Sequence, residues 1–114
     1  MGSPPDAAGE PLKFLRDGHS PDLLRKLRRG HWQIEDELDL HGMNRHQAAF
    51  AVEDFLRECV EQGFRCVRIV PGKGSVLRDL LRDSLPAKKD LLAFCEPPAS
   101  QGGSGAVLLL LKAR

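Results

Sequence analysis

Asp39 and His41 are the two side chains whose types and spacing best suit chemistry, a carboxylate able to hold an imidazole and an imidazole able to move a proton near neutral pH. They lie in the run Glu37-Leu38-Asp39-Leu40-His41-Gly42. Strand side chains alternate, so Leu38 and Leu40 point into a core while Glu37, Asp39 and His41 share the opposite face. Gly42 permits close approach of backbone to a ligand, and Asn44 is a candidate N-cap whose helix would offer N–H groups to an anion. A carboxylate, an imidazole and a helix N-terminus thus converge at one strand end. The same pair would also serve simply as solvated polar groups at a sheet edge.

The elements that must position this pair follow from periodicity. His31 to His41 reads as extended, with Trp32, Ile34, Leu38 and Leu40 alternating, and Glu37 to His41 is its firmest part. Asn44 to Gln62 predicts a helix, because Ala48, Ala49, Val52, Phe55, Leu56, Cys59 and Val60 form one apolar stripe between a capping box at Asn44 and Gln47 and a stop at Gly63. Phe64 to Val70 predicts a strand, broken by Pro71-Gly72-Lys73-Gly74-Ser75. Val76 to Leu85 returns to helical spacing before Pro86. Leu91 to Cys95 and Val107 to Leu111 predict two further strands, separated by a Pro- and Gly-rich loop. Two successive strand-helix-strand units predict parallel neighbours, which would set Asp39 and His41 facing Gly72, Lys73 and Gly74.

Upstream, residues 1–20 read as a disordered tail whose first eleven positions are rich in Pro, Gly and Ala, with Leu12 to Arg16 too short to count as an element. Pro21 to Arg29 predicts a short helix, with Ser20 as N-cap and Gly30 as stop. It carries Arg25, Lys26, Arg28 and Arg29, a cluster suited either to gripping phosphates or to a solvated helix face. The organisation expected is therefore a tail over 1–20, a basic helical lead-in over 21–31 and one domain over 32–114.

Composition bounds the class. A chain of 114 residues with 41% hydrophobic and 29% charged residues suits one globular domain, and a net charge of +1 argues neither for nor against nucleic acid. No apolar run approaches the roughly 18 residues that span a bilayer, and the N-terminus lacks a basic-then-apolar signal pattern, so a cytoplasmic protein without membrane partners is expected. Met1-Gly2 does not read as a myristoylation signal, since Asp6 stands where Ser or Thr is required. Cys59, Cys66 and Cys95 read as reduced core thiols, and the spacing of His41 and His46 does not suit a structural zinc site. Gly72-Lys73-Gly74-Ser75 is not a P-loop, because Lys73 is followed by Gly74 and not by Ser or Thr. A dinucleotide fold also fits poorly, the glycine turn coming after the second strand.

Taken in order, Leu38-Asp39-Leu40-His41-Gly42, the helix after it, Arg68-Ile69-Val70-Pro71-Gly72-Lys73-Gly74, Leu92-Ala93-Phe94-Cys95 and Gly102-Gly103-Ser104-Gly105-Ala106-Val107 resemble the small MutS-related, or Smr, domain. The resemblance runs from about Trp32 to Lys112, and Leu24 to Trp32 resembles the lead-in of stand-alone bacterial members. It implies an α/β two-layer sandwich on a four-stranded mixed sheet in βαβαββ order, similar to the C-terminal domain of bacterial translation initiation factor three. It also implies nucleic-acid binding and endonuclease activity on RNA or structured DNA, including mRNA on stalled ribosomes. Asp39 and His41 match the family's L-D-x-H motif, Gly72 and Gly74 the glycines of its H-G-x-G motif, and Gly102, Gly103 and Gly105 its glycine-rich loop.

Two departures stand out. Pro71 occupies the position of the family's second histidine, and the stretch between Gly74 and Val76 is shorter than the basic, Gly-rich loop of many members. Two functions are therefore weighed, an endonuclease and a non-catalytic nucleic-acid-binding module that lost cleavage through Pro71, with a protein-interaction role third. For RNA, His41 would take the 2′-OH proton, Asp39 would fix its tautomer or position the sugar, and Lys73 with the amides of Gly72 and Gly74 would meet charge on the phosphate. Gly42, Gly102, Gly103, Gly105 and the Arg25 to Arg29 cluster complete the expected phosphate contacts. DNA lacks the 2′-OH, so its cleavage would call for Mg²⁺, with Asp39 as a ligand. The expected partner is RNA or branched or single-stranded DNA, with the ribosome beside it, and the expected state is a monomer.

Overall fold

The computed structural model describes residues 11–72 and 74–114, so Lys73 and the first ten positions lie outside the described residues. Five strands form one sheet: β1 (Lys13–Leu15), β2 (Glu37–Asp39), β3 (Cys66–Val70), β4 (Leu91–Cys95) and β5 (Val107–Leu111), in the spatial order β1-β4-β5-β3-β2. Among the described residues, three α-helices accompany them, α1 (Asp22–Arg28), α2 (Arg45–Gln62) and α3 (Val76–Ser84). None of the described helices is long and apolar enough to cross a membrane.

The sequence-level expectation of an α/β sandwich on a mixed sheet holds, with two corrections. The sheet has five strands, not four, because Lys13–Leu15 pairs antiparallel with β4, in a segment read from sequence as tail. Three residues carry no usable periodicity. What holds them is tertiary: Leu12 is buried, Phe14 stacks on Phe94 at 5.4 Å, and Arg16 donates through Nε to Leu91 O at 2.8 Å. Second, helices cover both faces. α2 and α3 bury Val52, Phe55, Leu56, Leu80 and Leu81 against one face, whereas α1 lays Leu27, with Leu23 and Leu24, over β4 and β5 on the other, adding a partial third layer.

The parallel neighbours expected from the first strand-helix-strand unit are β2 and β3, with Glu37 opposite Arg68 and Asp39 opposite Val70. The second unit differs: β5 inserts between β3 and β4, antiparallel to both, with Ile69 opposite Val107 and Cys95 opposite Leu108. The inserted strand is apolar throughout and fully buried, as a strand with helices on both faces must be. The ends of β2, β3 and β4 and the start of β5 consequently share one edge of the sheet.

Local chemistry explains the helix bounds. Asn44 Oδ1 accepts from Gln47 N at 2.8 Å while Gln47 Oε1 accepts from Asn44 N at 3.0 Å, closing the expected capping box, and Gly63 ends α2 with φ +77°. Ser20 Oγ accepts from Asp22 N at 3.2 Å at the start of α1. The extended reading of His31 to His41 shortens to β2, although Glu35 N–H still donates to Cys66 O at 2.9 Å and Arg68 N–H to Asp36 O at 3.0 Å, an irregular continuation of the pairing.

All three cysteines are buried as free thiols, and burial above all pushes each up to about 11. The native protein should therefore react only slowly with a thiol-specific chromogenic disulfide at pH 8, whereas denaturation should release three fast equivalents. Fast labelling of the folded protein would contradict this burial.

Candidate functional site

The chain leaves β2 at Asp39 and turns immediately. Leu40 N–H donates to Val70 O at 2.8 Å, burying Leu40 completely, and Met43 N–H closes the turn on Leu40 O at 3.0 Å. This anchoring turns Leu40 into the α2–α3 core, leaves Asp39 on the opposite face of β2 and puts His41 in the exposed turn that follows the strand. One carboxylate then makes two contacts with one residue. Asp39 Oδ1 accepts from His41 N at 3.0 Å, and Asp39 Oδ2 lies 2.9 Å from His41 Nδ1. An ionised carboxylate only accepts, so Nδ1 carries the proton and Nε2 is left as the basic nitrogen, directed away from the pair.

The backbone N–H of His41 and then its imidazole hydrogen bond hold the Asp39 carboxyl below its ordinary value of 3.8, against a smaller opposing effect of burial. A group with a depressed value contributes its stabilisation at pH above the ordinary value and loses it as pH falls through the depressed one. Carboxyl-carbon NMR should accordingly find Asp39 titrating below 3.8 in the native protein, and His41→Ala should return it only part of the way, because the backbone N–H at position 41 stays.

Gly42 and Gly72 both take positive φ, +82° and +83°, where a side chain is strained, and Gly74 does so at +91°. The two turns touch: a Cβ placed on Gly72 would lie 3.4 Å from His41 Cβ and 3.5 Å from His41 Cα. Gly72→Ala should cost about 1–2 kcal/mol from the left-handed backbone alone and lower the midpoint of thermal unfolding, since the added Cβ meets His41 only at ordinary contact distance. Between these turns and the starts of α2 and α3 opens a cleft of about 420 Å³, lined by His41, Asn44, Arg45, Gly72, Ser75 and Val76 among others. Arg45 and His46 are exposed on the first turn of α2, and His46 packs edge-on against the exposed ring of Phe50.

The glycine-rich loop reaches the same sheet edge, but its amides face inward. Gly102 N–H donates to Ala99 O at 3.4 Å, Gly103 N–H to Pro98 O at 3.1 Å and Gly105 N–H to Gly102 O at 2.9 Å, so the loop is two short 3-10 turns, Ala99–Gln101 and Gly103–Gly105. These glycines permit the tight path and do not present a row of donors. The loop is fastened by Arg78, which was not among the expected site residues. Arg78 is 4% exposed on α3; its Nη1 donates to Ser104 O at 2.7 Å and forms an ion pair with Glu96 Oε2 at 2.7 Å. Glu96 Oε2 also accepts from Leu12 N at 3.1 Å. One buried ion pair thereby joins α3, the glycine-rich loop and the approach to β1. An arginine amid leucines on a strongly amphipathic helix was the available signal.

The basic cluster divides. Arg25 and Lys26 pair with Asp22 at 3.0 and 3.6 Å, Arg29 is exposed, and Arg28 borders a small hollow formed with Leu12, Lys13, Cys95 and Glu96 at the C-terminal end of β4. Asp39, His41, Gly42, Gly72 and Gly74 are thus brought together, Gly102 to Gly105 share their sheet edge, and the helix carrying Arg25 to Arg29 lies over β4 and β5 on the second face. Lys73 lies outside the described residues.

Comparison with known proteins places this arrangement. A family profile described as Smr domain matches residues 38–112. The ribosome rescue factor SmrB of Aliivibrio salmonicida is 31% identical over 102 residues, 89% of this chain and 58% of that protein. The protein of the same name from Haemophilus influenzae is 35% identical over 101 residues, 88% of this chain and 60% of that one. The chain thus spans about three fifths of the length of these relatives. Among solved structures, YdaL, a stand-alone small MutS-related protein from Escherichia coli, is similar with a TM-score of 0.80 and 28% identity, over 92% of this chain and 86% of that one. The Smr domain of Thermus thermophilus MutS2 gives 0.66 and 30%, over 68% and 99%. A profile match that begins inside the strand bearing Asp39 and runs past the end of β5, with two solved relatives of the same fold, shows that the chain belongs to the Smr domain family.

Proposed function

We propose that this protein binds nucleic acid at the β2–β3 edge and cleaves RNA there, with His41 as general base. The observation that carries the proposal is the double contact of Asp39 with His41, which leaves Nε2 as an oriented base beside an open cleft. In the step proposed, Nε2 takes the proton of a ribose 2′-OH, the 2′-oxygen bonds to the adjacent phosphorus, and the bond to the 5′-oxygen breaks. The products are a 2′,3′-cyclic phosphate and a 5′-hydroxyl, whose proton comes from the imidazolium or water. Asp39 holds the imidazolium as it forms.

DNA cleavage would need a water nucleophile and, on chemical grounds, a divalent ion such as Mg²⁺. The donor set does not fit that role: both Asp39 oxygens are engaged by His41, and among the described residues no group of three or more His, Cys, Asp or Glu is placed to hold a metal. RNA is therefore the favoured substrate, and the relatives named ribosome rescue factors support mRNA in the cytoplasm, on or near the ribosome, as its source.

One observation favours a second reading. Pro71 stands where the family pattern has histidine and can neither donate an N–H nor transfer a proton, which suits a binding module that has lost cleavage. An assay on end-labelled structured RNA and on supercoiled plasmid, with and without EDTA, separates the readings. RNA cleavage that persists in EDTA and vanishes in Asp39→Ala/His41→Ala is the expected result. Salt-sensitive binding with no cleavage of either substrate would leave the binding module.

A further inference from the structure

Arg68 lies where a cation for the substrate would be needed. It faces Glu37 across β2 and β3, and Glu37 and Asp39 are two residues apart on one strand, so Arg68, Glu37 and Asp39 share the sheet face opposite α2 and α3, and His41 is tied to Asp39 at its end. From strand spacing, the Cα atoms of Arg68 and Asp39 are about 8 Å apart, a gap that an arginine side chain and one phosphate fill. α1 covers this face chiefly over β4 and β5, and on the β2 side the side chains of Glu37 and Asp39 remain 50% and 51% exposed.

The guanidinium is held in place there. Its Nε lies 2.7 Å from Glu37 Oε2, off the line of a hydrogen bond, so the contact is an ion pair. Nη1 makes only a long 3.5 Å contact with Gln101 O. Nη2 lies beside Gly102, 3.7 Å from where a Cβ would be. Arg68 therefore stands between the Asp39–His41 pair and the glycine-rich loop, its fork oriented by a carboxylate and 29% of its side chain still open to solvent. Planar, permanently charged guanidinium groups match phosphate oxygens in pairs.

We propose that Arg68 is the phosphate-binding residue of this site, receiving a backbone phosphodiester next to the one presented to His41. The inference rests on the reading of the β2–β3 edge as a nucleic-acid site, and it supplies a cation from the strand beside Asp39, where Pro71 supplies none. Glu37 orients Arg68 and also competes with the phosphate for it.

The test is fluorescence anisotropy with a labelled single-stranded oligouridylate, titrated at several salt concentrations in a His41→Ala background so that the probe stays intact. Arg68→Gln should weaken binding about tenfold and reduce the slope of log K against log salt by about 0.7, the loss of one phosphate contact to a single strand. Arg68→Lys should keep the slope, because the charge is kept, and Glu37→Gln should tighten binding by removing the competing carboxylate. Thermal unfolding of each variant checks that the fold is intact. Unchanged affinity and slope in Arg68→Gln, with the parent binding normally, would overturn the role of Arg68 and leave the site reading standing. Failure of the parent itself to bind at low salt would overturn both.

Discussion

Replacing His41 with Ala should slow RNA cleavage by about 10²- to 10⁴-fold, the range over which a positioned general base acts. The fold should survive, because the imidazole is largely exposed and its loss leaves no buried group unpaired. Asp39→Asn should fall between the wild type and His41→Ala. Asparagine oxygen still accepts from the His41 backbone, yet the amide is neutral and stabilises the imidazolium less as the proton is taken. The double variant should be little slower than His41→Ala alone, since Asp39 acts through the imidazole, and such non-additivity marks residues working as a unit. Single-turnover rates on a defined RNA measure all three. Cleavage at the wild-type rate by His41→Ala would remove the proposed mechanism.

The largest effect on stability is expected at Arg78. Arg78→Ala deletes a side chain only 5% exposed and abandons that of Glu96, itself 14% exposed, together with Ser104 O. Breaking one side of a buried ion pair costs about 3–5 kcal/mol, because the remaining charge is left without compensation. Stability of small domains is typically about 5–15 kcal/mol, so this change should shift the denaturant midpoint severely. A paired replacement, Arg78→Met with Glu96→Leu, should recover much of the loss, since no lone charge stays buried. Equilibrium unfolding in urea provides the comparison. A cost for Arg78→Ala below about 1 kcal/mol would show that the pair is not sealed as its burial indicates.

Where the chain alternated or repeated with a clear period, the elements were legible. The stripe from Ala48 to Val60 with its capping box and Gly63 produced α2 as expected, and the apolar runs at Cys66–Val70, Leu91–Cys95 and Val107–Leu111 became β3, β4 and β5. Lys13–Leu15 carried no such signal, because a three-residue edge strand is held by its partner β4 and by the stacking of Phe14 on Phe94. The insertion of β5 between β3 and β4 was likewise illegible: strand order depends on which apolar faces meet, and these strands are almost uniformly apolar.

By itself, the sequence determined the α/β class, the family resemblance and the juxtaposition of Asp39 with His41, because an aspartate at a strand end accepts from the backbone N–H two residues on and so folds the turn that brings the imidazole to it. Tertiary structure alone decided the rest. It turned the amides of Gly102, Gly103 and Gly105 into their own turns, buried Arg78 as the fastening of that loop, and set Arg68 on the open face beside Asp39. Those outcomes depend on register and on contacts between residues far apart in the chain. Local pattern does not encode them, whereas the packing of helices and strands around one core does.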